Sequence, residues 1–568
     1  MEFSYRTHTC GELTAKDNKK EVILSGWIHN LREHGNVVFI DLRDRYGLTQ
    51  LSIDKKIVDF NLKKESVILA KGEVVLRPTP NKNISTGEIE LNVSSLSLIN
   101  MSDTLPINNE VTEDPNLRLK YRYIDLRRQS SISKLELRHN VKKAAANFFN
   151  KNNFLEIETP LLVKSTPEGA RDYLVPSRVN KGKFYALPQS PQLYKQILMI
   201  AGVDRYYQFA RCLRDEDLRA DRQPEHTQMD FEISFAKSKD IMDFTEGLFK
   251  HIFQETLNIK LDDFKRFTYE EAMSRFGSDK PDLRFGLELN NITELAKKSE
   301  FKVFKEAESV NCIVVPKTFS RKEIDKLTEF VKIYGAKGLA YVQYNNGFES
   351  GVSKFLEGIE AELVKKLNIK KDSTIFFVAD KKKITQTSLG QLRLKLRDEL
   401  NLADPNDFKF CFVTDFPLFS FNEDENRWEP EHHMFSMPKE EFVDDFEKRP
   451  GEVKGDLFDV ALNGWELGSG SIRVSNPGVQ KRIMKFIGID EEEANQKFGF
   501  LLEAYNYGAP THGGMGLGLD RLVALMVHTT DIREVISFPK NKNAECPMDD
   551  SPSPIEKGQL DELGLKLK

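Results

Sequence analysis

Cysteine is scarce in this chain. Cys10, Cys212, Cys312, Cys411 and Cys546 are scattered over 568 residues, and no two form a CxxC pair. That spacing argues against a disulfide framework and a thiolate zinc site, and reads as free thiols in a reducing compartment. Long hydrophobic runs are missing too. No stretch of about 18 apolar residues occurs, and the opening MEFSYRTHTCGEL lacks the apolar segment of a secretion signal. The expectation is a soluble, cytoplasmic protein without a membrane partner. Nor is there a basic excess: 83 Lys+Arg against 88 Asp+Glu gives −5. A nucleic-acid partner would have to be met by local patches, not by an overall field. The phosphate-binding strings GxGxxG after a strand and GxxxxGK[ST] are both absent, so neither a Rossmann nor a Walker site is supported.

What is present is apolar content of 39% with 10% aromatics, enough for large cores in roughly three or four domains. The chain is organised around RCLRDEDLRADRQPEHTQMDFE, residues 211–232. After its charged loop, Gln228, Asp230, Glu232 and Ser234 alternate with Thr227, Met229, Phe231, Ile233 and Phe235. This period of two predicts a half-buried strand. The preceding RYYQFARCL also has strand composition. Together they predict an antiparallel hairpin pointing Arg214, Glu216, Gln228 and Asp230 into a cleft, where a guanidinium fork suits a phosphate.

Residues 1–105 read as five short strands with one helix near Ile57–Lys64, which fits an OB-type barrel. Such barrels commonly bind single-stranded nucleic acid on exposed aromatics. Phe39 and Gln50 are candidates for stacking and for a base edge, although Phe39 also fits the barrel core. The polar stretch 106–118 reads as a hinge. Residues 130–153 recur at helical spacing, followed by a strand FLEIETP. QSPQLYKQ (189–196) opens a helix, and an amphipathic helix lies around Ile241–Leu257. Residues 285–406 alternate helix and strand without a phosphate signature, as an inserted α/β module. In WEPEHHMF, His432 and His433 make a weak metal pair, because adjacent histidines rarely point the same way. Asp459 and Glu466 are hard oxygen ligands suited to magnesium. Glu466 and Arg473 are seven apart, which puts them on opposite faces of a regular strand. If both serve one site, a bulge or a strand end intervenes. Finally, HGGMGLGLDRLVALMVH places four glycines before a helix that buries Leu519, Leu522, Val523 and Met526. A glycine-rich lead-in to a helix N-terminus suits a phosphate.

LRDE with Arg214, FLEIETP with Pro160 and GLGLDR with Arg521 resemble motifs 2, 1 and 3 of class II aminoacyl-tRNA synthetases. The string GARDYLVPSR…ALPQSPQLYKQ…RDEDLRADRQPE resembles the bacterial-type aspartyl-tRNA synthetases of subclass b in particular, from Gly26 to Phe538. Signatures resembling HIGH and KMSKS of class I are absent. The resemblance implies a multidomain α+β architecture. Residues 1–105 would be an OB-fold anticodon-binding domain and 106–118 a hinge. Residues 119–284 and 407–545 would form an antiparallel-sheet catalytic domain, 285–406 the inserted bacterial-type module, and 546–568 a C-terminal extension.

For the reaction, the resemblance implies aspartate and ATP forming aspartyl-adenylate, then transfer to the 3′ end of tRNA-Asp, with Mg2+ and a homodimer. Glu168, Gln192, Lys195, Arg214, Asp230, His432 and Arg473 would hold aspartate, with Asp230 orienting Arg473. Arg214, Asp215, Glu216, Gln223, His226, Glu466, Gly518, Leu519, Asp520 and Arg521 would hold ATP, Arg214 on the α-phosphate and Arg521 on the γ-phosphate. Asp459 and Glu466 would hold magnesium. Arg32, His34, Phe39 and Gln50 would meet the anticodon. His226 stands where the family usually has a phenylalanine that stacks on adenine, so a pH-sensitive use of ATP is expected. His34, where strict relatives usually have leucine, implies a relaxed enzyme that also charges tRNA-Asn. The alternative is a strict aspartyl enzyme. Asparaginyl and lysyl enzymes are the nearest rivals. A ligase resembling asparagine synthetase would have no need of residues 1–105. A non-catalytic RNA-binding relative would have lost Arg214, Glu466 or Arg521.

Overall fold

A computed structural model describes residues 4–108, 114–166 and 170–567. The first strands close into a five-stranded barrel in the order Glu21–His34, Val37–Arg43, Leu48–Asp54, Ile89–Asn100, Val67–Leu76. Alternation explains it. Val38, Ile40, Leu42, Leu51 and Ile53 point inward and are buried, while their neighbours face out. The helix expected near Ile57–Lys64 is only a 3₁₀ turn at Lys55–Ile57, capped by Asp54. The hinge expected over 106–118 is partly helical: Asp114 caps a helix at Pro115–Lys120. The chain forms two units. One is 1–136 with 537–541 and 545–552; the other is the remainder.

The second unit is built on an eight-stranded sheet in the order Lys265–Thr268, Phe410–Thr414, Leu457–Leu462, Trp465–Ile472, His512–Gly518, Glu225–Ser234, Arg205–Leu213, Leu155–Glu156. Its interior pairs are antiparallel, and only the two edge pairs are parallel. The strand FLEIETP shrinks to Leu155–Glu156 at the edge. Helices Gln129–Lys151, Ser238–Leu257 and Leu519–Met526 cover one face, with Phe149, Phe231, Phe249, Met515 and Leu522 in the core between. The hairpin differs from expectation in one respect. Its polar face is buried as deeply as its apolar face, since Asp230 and Glu232 are 2% and 0% exposed.

Within 285–406 a second sheet runs Asn290–Asn291, Ser309–Val315, Ser373–Asp380, Ala340–Tyr344, Phe348–Glu349, antiparallel throughout. Helices cover both faces. Ile313, Val315, Phe376 and Val378 pack on one side, and Val310, Cys312, Ile375 and Phe377 on the other. Arg393 fastens this module: its guanidinium donates to the carbonyls of Asp282, Phe285 and Gly286 and lies 4.0 Å over the Phe285 ring.

Candidate functional site

The uncovered face of the eight-stranded sheet lines a cleft of about 390 Å3. Its floor is the last glycine-rich segment, and here the structure changes the sequence reading. Gly513–Gly518 does lead into the helix Leu519–Met526, but as part of a central strand, His512–Gly518, whose last residue caps that helix. A Cβ at Gly514 would come within 2.0 Å of the Phe231 carbonyl oxygen. Glycine there lets two strands and the side chains above them close on one another.

At one end of the cleft four charges meet out of water. Lys195, carried by the helix Gln192–Ile200, donates to Asp230 Oδ2 at 2.8 Å and lies 3.2 Å from Glu232 Oε2. Arg473 donates from Nε to Glu232 Oε1 at 2.8 Å and from Nη2 to Glu232 Oε2 at 3.2 Å. Glu232, not Asp230, is therefore the carboxylate that orients Arg473, and Asp230 orients Lys195. Alternation puts both acids on one face, but the cation each one meets is decided by the helix and strand end packed above. Burial alone would raise Glu232, yet Arg473 and Lys195 hold its carboxyl down at about 2. Burial pushes Asp230 up to about 6 against the pull of Lys195. Gln192 Nε2 and Asp230 Oδ1 are buried there without a hydrogen-bond partner.

Arg473 reaches this cluster as the seven-residue spacing demands. Ala461 pairs with Glu466 and Val460 with Gly468, so Leu467 is an extra residue, and Arg473 lies just beyond the strand end at Ile472. That bulge returns Glu466 and Arg473 to one cleft.

The other end carries Arg214, Glu216, Gln223, His226, Glu466, Gly518 and Arg521. Arg214 Nε is buried without a hydrogen-bond partner among the described residues. Arg521 donates to the Glu466 carbonyl at 3.0 Å and reaches Asp221 at 3.4 Å. Two of the expected nucleotide contacts fall elsewhere. Leu519 is buried in the core, and Asp215 is bridged through its backbone to Arg171. Asp520 lines the cleft, but its oxygens are taken by Arg138 and by the Thr227 amide, so it braces the hairpin. His226 also departs from expectation. Burial, then Arg214, Arg521 and Arg211, push it down to about 3, so it is neutral at physiological pH and brings no proton switch there. Glu168 lies outside the described residues.

The two histidines diverge. His432 Nε2 lies 3.4 Å from Asp459 Oδ2. Burial lowers its pKa, but the Asp459 carboxylate outweighs that and raises it. His433, weighed in the sequence only as a weak metal ligand, is pushed down to about 3 by burial and then by Arg473 and Lys195, and it lines the cleft with the four-charge cluster. Asp221 and Arg222, which pairs with Glu216 at 3.0 Å, were missed; their signal is the charge density of the hairpin loop. No group of three His, Cys, Asp or Glu suited to a metal occurs among the described residues. Asp459 and Glu466 nevertheless fit a cation shared with substrate phosphates. Burial and then Asp459 raise the Glu466 carboxyl, and Asp459 Oδ1, 3.3 Å from His432 Nε2, is buried without a hydrogen bond among the described residues.

On the barrel, Phe39 lies on the outer face, opposite Arg32 and Ser52, and outside the core. Arg32 donates to Asp41 at 2.9 Å and to Gln50 at 3.2 Å. His34 is exposed and ends its strand. It belongs to the ladder and not to a loop; only Gly35 (φ 59°) and Asn36 make the turn. This fits a two-residue hairpin led by glycine.

Residues 114–542 match the family of tRNA synthetases class II (D, K and N), and residues 22–99 match the OB-fold nucleic acid binding domain. A Treponema denticola protein named aspartate–tRNA(Asp/Asn) ligase is 50% identical, with 100% of each chain covered. A Staphylococcus saprophyticus protein named aspartate–tRNA ligase is 46% identical, again with 100% of each covered. Among solved structures, an asparaginyl-tRNA synthetase from Pyrococcus horikoshii complexed with asparaginyl-adenylate aligns with a TM-score of 0.60 at 19% identity, covering 94% of this chain and 97% of that one. It shares the fold. With a matching family model over most of its length and relatives near half identical from end to end, this chain belongs to the class II tRNA synthetases of the D, K and N group.

Proposed function

We propose that the protein is an ATP-dependent aspartate–tRNA ligase. It activates aspartate as aspartyl-adenylate and transfers it to tRNA-Asp and also to tRNA-Asn. The observation that carries this reading is the buried cluster of Lys195, Asp230, Glu232 and Arg473. Two cations held by two carboxylates make a rigid, water-poor seat for one further carboxylate, the side chain of aspartate. An amide offers it no charge, and an ammonium would be repelled.

With the side chain seated on Lys195 and Arg473, the α-carboxylate faces the Arg214 end of the cleft. Arg214, with Nε unpartnered, takes the α-phosphate that this carboxylate attacks in line. Arg521 takes the γ-phosphate, and Glu216, Gln223, His226 and Gly518 take the rest of the nucleotide. Little covalent chemistry falls to the protein. Its contribution is positioning and charge stabilisation. Asp459 and Glu466 would hold magnesium, which would neutralise phosphate charge. No general base is needed, because the attacking carboxylate is already ionised.

Phe39 and Arg32 offer a ring and a guanidinium on the outer barrel face to the anticodon, beside Gln50, whose buried amide accepts from Arg32 and donates to Glu90. His34, at the strand end beside them, can donate or accept and so tolerates either first base. The names of the relatives support the relaxed reading. Leu155, Leu161 and Leu162 are 56%, 52% and 52% exposed at the sheet edge, an apolar patch that supports a homodimer. No helix among the described residues is long and apolar enough to cross a membrane. Five buried free cysteines support a cytoplasmic setting. Charging each tRNA transcript separately with aspartate tests the proposal. Both should be charged. A tRNA-Asn rate more than about a thousandfold lower, a gap of roughly 4 kcal/mol, leaves a strict aspartyl enzyme, and no charging of either overturns the function.

A further inference from the structure

Residues 277–284, GSDKPDLR, lead from the catalytic sheet into the 285–406 module. The segment is pinned at Asp282, which is 0% exposed. The Asp282 carboxylate accepts from the Arg284 amide at 3.1 Å, from Arg284 Nε and Nη2 at 3.0 and 2.7 Å, and from Arg397 Nη1 at 2.9 Å. A buried carboxylate paired on both oxygens is a fixed point. It abuts the turn that joins Leu457–Leu462 to Trp465–Ile472. Gly464 in that turn has φ 89°, and a Cβ on it would lie 3.4 Å from Asp282 Cβ. Those two strands carry Asp459 and Glu466, the acids assigned above to magnesium. A second link runs through aromatic rings. Tyr269 lies 5.2 Å from Phe416, and Phe416 lies 4.8 Å from His432, between ring centroids. Burial, then Glu431 and Asp279, raise the Tyr269 hydroxyl. The segment thus stands against the wall of the cleft that holds the two acids.

Lys280 sits two residues before the pinned Asp282. Its amide donates to Ser278 Oγ at 3.2 Å, which bends the chain there. Among the described residues its one ion pair is with its neighbour Asp279, at 3.2 Å, with the lysine side chain 43% exposed. An exposed pair of this kind is weak, so the ammonium can turn to a better partner. Burial and then Asp459 raise the Glu466 carboxyl, and the cations that pull against them are Arg521 and then Lys280. Arg521 is already bonded to the Glu466 carbonyl. Lys280 brings a second positive charge to this wall, on a flexible stem.

We propose that Lys280 is a further substrate-contacting residue of the adenylation step: its ammonium binds the β- and γ-phosphates of ATP and stays with them as pyrophosphate leaves. The inference rests on the proposed activation of aspartate. In that step a carboxylate oxygen of aspartate forms the bond to the α-phosphorus. The bond from that phosphorus to the bridging oxygen breaks, and its electron pair departs with pyrophosphate. Negative charge therefore grows on the leaving group, where a cation contributes most. A lysine at the mouth of the cleft is a point charge that can follow this group as it moves.

The test compares the full-length wild type with Lys280→Met and Lys280→Arg. Each is titrated, with magnesium present, with ATP and with AMP, which lacks the two outer phosphates. In Lys280→Met the Kd for ATP should rise about 10- to 100-fold, the loss of one hydrogen bond to a charged group, while the Kd for AMP stays within about twofold. Lys280→Arg should restore most of the ATP affinity. In pyrophosphate exchange, KM for pyrophosphate should rise along with KM for ATP, and KM for aspartate should not. An unchanged Kd for ATP overturns the inference. So does an equal loss for ATP and AMP, which would make Lys280 a prop for the wall, or an arginine variant as weak as the methionine one. The titrations need no aspartate and judge Lys280 by themselves. A wild type without aspartate-dependent exchange overturns the proposed function instead.

Discussion

In the eight-stranded sheet one face is apolar, and the other carries Lys195, Asp230, Glu232 and Arg473, each at most 5% exposed. In the five-stranded sheet of the 285–406 module, both faces are apolar, and each is sealed by its own helices. The interior pairs of both sheets are antiparallel, so pairing there does not separate them. What separates them is what covers the second face. A buried charge is tolerated only when it is paired and hydrogen-bonded, and the first sheet has made its pairs and left one side open to a ligand. The second sheet has helices on both faces, and its acids Glu349 and Asp380 stand at strand ends. The proposed chemistry of this chain rests on the former.

The sharpest way to break that contrast is at the charged cluster. Lys195→Met leaves Asp230 and Glu232 with one cation between them and should lower aspartate-dependent exchange by about 3–5 kcal/mol, on the order of a thousandfold. ATP binding, measured by titration, should be nearly intact. Near-normal exchange would show that the pocket is elsewhere. Glu232→Gln should cost less, about 2–3 kcal/mol or roughly 30- to 150-fold in kcat/KM for aspartate, because Arg473 keeps its bonds to Ser471 and to the Gly514 carbonyl. If Asp230→Asn misplaced Arg473 while Glu232→Gln did not, the pairing described above would be reversed.

Replacing 285–406 by a short linker tests the other side of the contrast. Every residue assigned to catalysis lies outside it, so exchange should stay within about tenfold, while the melting temperature falls as Phe276 loses Arg393 above its ring. A soluble deletion without exchange would give the module a part in the site. The smallest effect concerns His226. With its pKa near 3, it stays neutral as pH rises from 6 to 8, so KM for ATP should change less than about twofold from this group. A sigmoidal change centred near 6.5 would show that it titrates in the working enzyme.

Much of the first sheet is legible in the sequence, because alternation of polar and apolar residues survives even where both faces are buried. The seven-residue gap between Glu466 and Arg473 forecasts the bulge at Leu467, since a regular strand cannot aim both inward. The strand His512–Gly518 is not legible as a strand. Glycine carries no side-chain periodicity, so the segment shows only as a lead-in to a helix until its neighbours are seen to need its bareness. Leu519 adjoins Arg521 in sequence but turns toward the core, because a helix sends consecutive residues to different faces, and Asp520 at the cleft is taken by Arg138 and the Thr227 amide. The choice of partner between Asp230 and Glu232 depends on Lys195 and Arg473 arriving from distant elements, which no local pattern encodes. His433 is hidden by its neighbour: two adjacent histidines suggest a pair, and the fold separates them.

The central claim is that the buried quartet selects a carboxylate side chain. ATP–pyrophosphate exchange by the purified wild-type enzyme with aspartate, asparagine and lysine in turn tests it directly. The account predicts robust exchange with aspartate and at least a hundredfold less with either alternative. Exchange with asparagine or lysine at a rate comparable to aspartate, or with neither those nor aspartate, would contradict it.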